Sequence, residues 1–349
     1  MRLLVIASAI IGTSFAASAA AGCFSDNLTT RMSAFCLTER SQGESLSVLD
    51  ARVIDFALKR EGYEQGIGFP GSVESTAAGL QIKPELQYHP NINAGNPDTP
   101  LVVGDLEFTG DPEKIRKSGV LLGLRLSAYG RHIYGPGRYL ELGAGLSHNY
   151  SPEHQITLVR SFVSACSKNH VRAHWYLDIC GSSIAQRREL ASDRESEFAV
   201  SASRIIEASG QGVHNIKIGL ERFFDNGEYA QNRGRLEWSF LSRGDTFVGM
   251  DFVVGEPVDG KLTLQNGGQI VLGTTLGERS VTGSVEVARY TGGALLGVER
   301  EDDLVTASIS YELSENISVV ASYQYRDSSI AYFNERDVYI GAEFDAWRF

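Results

Sequence analysis

The segment His148-Asn-Tyr-Ser151 sets a base and a nucleophile within four positions of each other, the residue types that acyl transfer requires. The spacing completes no barrel lipase or deacylase pattern, and a polar pair in a loop is the simpler reading of it. His170 and His174 stand four apart, which shares a face in a helix but is no helical pair in a strand, and no carboxylate or third ligand lies at a useful spacing for a metal. Gly219, Gly249 and Gly283 fall inside strand-like segments, where they suit a curved wall and not a phosphate cradle. No cofactor motif is present. The residues left to do chemistry are ionisable: Lys83, Glu85, Arg125, Glu141, Arg172, Asp178, Lys217, Glu221, Glu237, Glu286 and Arg326. Both signs occur, so these groups either brace an interior as a network or line a channel that selects solutes weakly.

The elements that must position them follow a period of two. Leu80, Ile82, Leu86 and Tyr88 alternate with Gln81, Lys83, Glu85, Gln87 and His89, and Leu122, Leu124, Leu126 and Ala128 face away from Gly123, Arg125 and Ser127. Leu140, Leu142, Ala144 and Leu146 oppose Glu141 and Ser147. Further apolar registers run through Phe198, Val200 and Ala202, through Ile216, Ile218 and Leu220, through Leu236, Trp238 and Phe240, and through Val248, Met250, Phe252 and Val254. Residues 304–313 and 317–326 repeat the alternation with tyrosines on the apolar side. A strand between lipid and a wet lumen requires such faces, and on the lipid side each basic group would cost about 2–4 kcal/mol, so the charged register must point inward. Gly135-Pro136-Gly137, Asn226-Gly227, Arg243-Gly244-Asp245, Asp259-Gly260 and Gly292-Gly293 mark turns, while residues 91–100 and 182–195 read as longer loops.

This spacing predicts an all-β protein: a transmembrane, antiparallel, up-and-down β-barrel over residues 76–349, with about 14 strands and a range of 12–16. A secreted β-sandwich is the alternative, since it too has one apolar face per sheet. Recurrent aromatics near strand ends, and no second layer of uninterrupted apolar strands, favour the barrel.

Residues 1–19 read as a Sec-type signal peptide, with Arg2, a largely apolar run over residues 3–11 and Ala17-Ser18-Ala19 as the cleavage site. Residues 20–75 form a short N-terminal periplasmic extension or plug, in which residues 26–40 are predicted to be helical with Leu28, Met32 and Phe35 on the apolar side. Ala20-Ala21-Gly22-Cys23 resembles a lipoprotein cleavage box without its usual leucine, which leaves lipidation of Cys23 open. Export implies disulfides, with Cys23 and Cys36 the first pair to expect. Cys166 and Cys180 flank an alternating segment over residues 171–179 that reads as one strand. Such a strand would hold them roughly 30 Å apart, against about 7 Å for a disulfide, so bonding this pair needs a chain that folds back. A formal net charge of −11 argues against nucleic acid as a partner.

Two motifs carry a resemblance. Pro84-Glu-Leu86-Gln-Tyr88-His-Pro-Asn91-Ile92-Asn93 looks like the opening barrel strand of surface lipoprotein assembly modifiers and related porin-like proteins. The segment from Tyr323-Gln-Tyr325-Arg326 to Phe349 resembles that family's closing strands. The resemblance implies an outer-membrane barrel of about fourteen strands. The helical-repeat domain of those modifiers has no room in residues 23–75, which puts their translocation role in doubt here. In the last strand Phe344 shares one apolar register with Val338 and Ile340, whereas Trp347 and Phe349 fall on the other. A bulge near Ala346 would return the aromatics to the lipid side as a barrel-insertion signal. The functional expectation is a porin-like channel in the outer membrane of a two-membrane bacterium, without cofactor or enzyme activity. Its partners would be outer-membrane lipid, the barrel-assembly machinery acting on the C-terminal strand, and an optional periplasmic protein. The alternatives are a protein-export barrel and a lipid-active barrel enzyme using His148 and Ser151.

Overall fold

A computed structural model describes residues 31–32, 35–36, 76–103, 105–208, 212–242, 246–277, 279–314 and 316–348. Long alternating segments have no way to bury one face in helices, and they pair edge to edge instead. The strands are β1 (Thr76–His89), the short β2 (Leu101–Val103) and β3 (Leu106–Phe108), β4 (Gly119–Gly135), β5 (Arg138–Ser151), β6 (Ile156–Arg172), β7 (Trp175–Arg187), β8 (Ser192–Ala208) and β9 (Gly212–Asp225). They continue with β10 (Tyr229–Ser242), β11 (Phe247–Gly255), β12 (Thr263–Leu276), β13 (Arg279–Leu295), β14 (Val298–Ser314), β15 (Ile317–Ser328), β16 (Glu335–Phe344) and β17 (Trp347–Arg348).

β1 and β4 to β16 pair antiparallel in chain order, and β16 returns to pair with β1, so the sheet closes into a barrel of 14 strands. Closure removes every free edge, the only way an all-strand protein can satisfy its backbone in hydrocarbon. β17 adds nothing to the circumference. It continues the seam, with Trp347 opposite Ile82 and Arg348 opposite Gln81.

That seam contains the bulge expected near Ala346. β16 sets Glu343 opposite Glu85, yet Trp347 meets Ile82 and not Gln81, so one extra residue is inserted between the two pairings. Directly opposed residues share a face, and Trp347 therefore lies on the outer side with Ile82, 59% exposed. Phe349 lies outside the described residues.

The even positions of β1, β4 and β5 and their counterparts around the ring point outward. They carry exposed Leu122, Leu124, Leu142, Phe198, Ile218, Leu220, Met250, Leu272, Val287, Ile309 and Ile340. Tyr134, Trp175, Tyr311 and Trp347 mark this outer face near the end with short turns, and Tyr88, Tyr150 and Phe224 mark it near the end with longer loops. These ends are termed the turn rim and the loop rim.

Three local expectations change. Residues 171–179 are two strands and not one: the chain reverses at Ala173 and His174, with Ala173 at φ 47°. Apolar alternation ran straight through a turn that has no Gly, Pro or Asn to announce it. Gly292 and Gly293 sit at an irregularity within β13, and the turn falls later, at Leu296 (φ 51°) and Gly297 (φ 83°). The loop expected over residues 182–195 shrinks to residues 188–191, because β7 and β8 extend into it with polar residues on both faces.

Candidate functional site

The inner face of the barrel gathers the ionisable residues. Glu85 of β1 is paired with Arg125 of β4 and accepts hydrogen bonds from Ser147 Oγ at 2.5 Å and Asn149 Nδ2 at 3.0 Å, both on β5. Lys83 reaches Glu343 of β16 across the seam at 2.8 Å, and Arg131 reaches Glu141 at 2.9 Å. Lys217 pairs with Glu237 at 2.9 Å. Arg235 bridges two strands at once, with Nε 2.7 Å from Glu221 and Nη1 3.3 Å from Asp251. Arg326 lies 3.8 Å from Asp302 and 4.0 Å from Glu335, and Asp178 receives Arg31 at 2.9 Å. Glu286 stands inside as well, directly opposite Gln269 on the neighbouring strand.

Arg172 departs from the inward set. A register shift between His170 and Arg172 places it opposite Trp175, on the outer side at the turn rim. Inward charges that the sequence reading passed over include Arg160, Arg233, Arg235, Asp251, Asp302, Asp337 and Glu343. Arg233, Arg235 and Glu237 alternate with apolar Leu236 and Trp238, so the period-two signal that found Glu237 could have found the two arginines.

Both signs occur on each side of the ring, Lys83 and Arg125 beside Glu343 and Glu85 on one side and Lys217 and Arg235 beside Glu237 and Glu221 on the other. Arg160 donates to the neutral Gln186 Oε1 at 2.8 and 3.2 Å and makes no ion pair among the described residues.

At the loop rim, residues 90–118 fold back over the inner face. Ile92 packs with Leu121, Ile156 and Leu158, all buried. The two asparagines beside it tie the loop down. Asn91 Oδ1 and Asn93 Oδ1 accept from Gly95 N at 2.9 and 3.1 Å, Asn93 Oδ1 also accepts from Lys117 N at 2.9 Å, and Asn93 Nδ2 donates to Ile115 O at 2.8 Å. Arg116 then reaches Asp337 on β16 at 3.2 Å. The Asn-Ile-Asn motif is thus a staple that holds this loop in the mouth. Lower down, Gly145 leaves room for the Phe162 ring against the wall, where a methyl group would overlap it.

His148 and Ser151 are not brought together. β5 alternates between exposed and buried positions, with His148 exposed on the outer face and Ser151 buried on the inner one. Residues three apart on a strand point to opposite sides. His170 Nε2 lies against Ala173 O, His174 packs on Phe35, and no cluster among the described residues could hold a metal ion.

Cys166 and Cys180 are bonded. β6 and β7 are the arms of one hairpin, and the two cysteines sit directly opposite each other with Cα atoms 4.1 Å apart. The chain folds back at Ala173 and His174, inside the segment that read as a single strand. Cys36 is also disulfide-bonded. Cys23, its expected partner, lies outside the described residues.

No family profile and no curated protein matches the chain. Among solved structures, similarity is found to OccAB3 of Acinetobacter baumannii, with 6% identity, TM-score 0.39 and coverage of 78% of this chain and 99% of that one. OccK7 (OpdD) of Pseudomonas aeruginosa gives 7% identity and TM-score 0.41 over 79% of this chain and 100% of the other. A triple mutant of Rhodopseudomonas blastica porin gives 10% identity and TM-score 0.39 over 78% and 100%.

Proposed function

We propose that the chain is an outer-membrane channel for small solutes, porin-like in architecture and weakly selective. One observation carries the reading: a closed ring of strands exposes an apolar outer face round its middle and turns its buried ion pairs inward. A soluble barrel would bury the apolar register, and a sandwich would leave two sheets with edges. Inward charges of both signs are largely paired across neighbouring strands, a lining that supports weak selection only. On this reading the outer face meets outer-membrane lipid, and Phe344 and Trp347 lie in the strand pair that the assembly machinery recognises.

Protein export is the second reading. It draws on the resemblance to lipoprotein assembly modifiers, and it would need a periplasmic partner to supply what residues 20–75 have no room for. The Asn91 and Asn93 staple, part of the motif behind that resemblance, acts here inside the barrel's own mouth, which favours the channel.

The test is conductance of the purified, folded barrel in planar bilayers, preceded by outer-membrane fractionation and a heat-dependent shift on a gel. Discrete conductance steps with a reversal potential that moves in a salt gradient are expected. A heat-modifiable barrel that never conducts, even with its N-terminal residues removed, would overturn the channel.

A further inference from the structure

We propose that the helical residues Arg31, Met32, Phe35 and Cys36 belong to a resident plug, docked inside the turn rim and latched by Arg31. Arg31, Met32, Phe35 and Cys36 are helical and all four are buried, Met32 to 1% exposure. The groups they touch belong to the inner wall. Arg31 Nη1 lies 2.9 Å from both carboxylate oxygens of Asp178, and its guanidinium stacks 4.3 Å from the Tyr176 ring centroid. Ser239 Oγ on β10 donates to Met32 Sδ at 3.2 Å, and Phe35 meets the His174 ring edge-on at 4.7 Å. The contacts therefore span from β7 to β10 across the inside of the barrel.

The wall residues match this footprint in type. Ile205, Val213 and Leu241 point into the lumen at this end, Val213 directly opposite Leu241, and none exceeds 5% exposure. Apolar side chains on the inner face of an open, water-filled mouth would be wet. Three apolar residues in the inward register beside Ser239 fit an arc that is covered. A carboxylate and an aromatic face together make a cradle for a guanidinium, and the chain supplies one.

The consequence for conductance rests on the channel reading, but the test does not. Ser239→Cys is made in the full-length chain, alone and combined with Arg31→Ala or with Asp178→Asn, and reaction with a water-soluble maleimide is timed on the folded, heat-modifiable barrel. Cys36, Cys166 and Cys180 are bonded and do not compete. Ser322→Cys, inward on β15 and far from the footprint, controls for general access.

The new thiol at 239 is expected to be protected in the otherwise native chain and to react at least about tenfold faster in either double variant, with the Ser322→Cys rate unchanged. The exchange Arg31→Asp with Asp178→Arg should restore protection. Equal labelling at 239 with and without Arg31 overturns the plug. Protection released by Arg31→Ala, with no conductance from any variant, upholds the plug and refutes the channel.

Discussion

Arg235 shows how much a single inward residue can hold. It answers two carboxylates on neighbouring strands, with only 12% of its side chain exposed and 6% of that of Glu221. Replacing it with alanine removes the cation that bridges Glu221 and Asp251. Removing one partner of a buried pair costs on the order of 3 kcal/mol, so Arg235→Ala should lower the temperature at which the folded gel band disappears. It should also move the reversal potential towards cations, because the lumen beside β9 to β11 loses a positive charge. An unchanged reversal potential with an unchanged melting band would separate this cluster from both stability and selectivity. Its place on the inner face was legible, since charge alternates with Leu236 and Trp238. Its two partners were not, because Glu221 and Asp251 are chosen by the register of separate strands.

At the scale of elements, the hairpin of β6 and β7 was the hardest to read. Its turn uses Ala173 at positive φ and His174, neither of which signals a turn, and the apolar register continues on the far side. His174 is also where the hairpin meets the N-terminal segment. Burial pushes its imidazole below the ordinary histidine value of 6.5, helped by His170 and Arg204 nearby. The docked state therefore prefers neutral His174. That preference is complete above about pH 6.5 and is lost as pH falls towards the lowered pKa, because the undocked ring takes up its proton first. Labelling of Ser239→Cys, taken as a ratio to that of Ser322→Cys so that the common loss of thiolate cancels, should rise between about pH 7 and 5 and lose that rise in a His174→Gln background. A rise in that ratio that persists in His174→Gln would assign the effect to another group. The helical state of Arg31, Met32, Phe35 and Cys36 was legible from the spacing of Met32 and Phe35, whereas the surface that receives them was not.

Across the whole molecule, the weakest join is the seam. β1 pairs with β4 along its full length, from Thr76 opposite His132 to His89 opposite Gly119. Against β16 it pairs only from Glu85 to Tyr88, and β17 supplies Gln81 and Ile82 with partners beyond the bulge. A chain ending at Phe344 should still close but should lose its folded gel band a few degrees lower, as a loss of about 1–2 kcal/mol would give. An identical midpoint would show that β17 adds nothing to closure.

Strand periodicity is a local property, so the residues themselves determined the all-β class, the inward register of most charges and a count near fourteen. Each was readable without knowing any neighbour, because side chains alternate whatever the strand pairs with. Pairing is a global property. Which carboxylate meets which arginine, that Cys166 faces Cys180, that Arg172 turns outward and that His148 and Ser151 lie on opposite sides were decided by register, turn position and bulges. Only closure brought Arg31 to Asp178, 147 residues away in the chain, because a ring of strands creates an interior that no single strand contains.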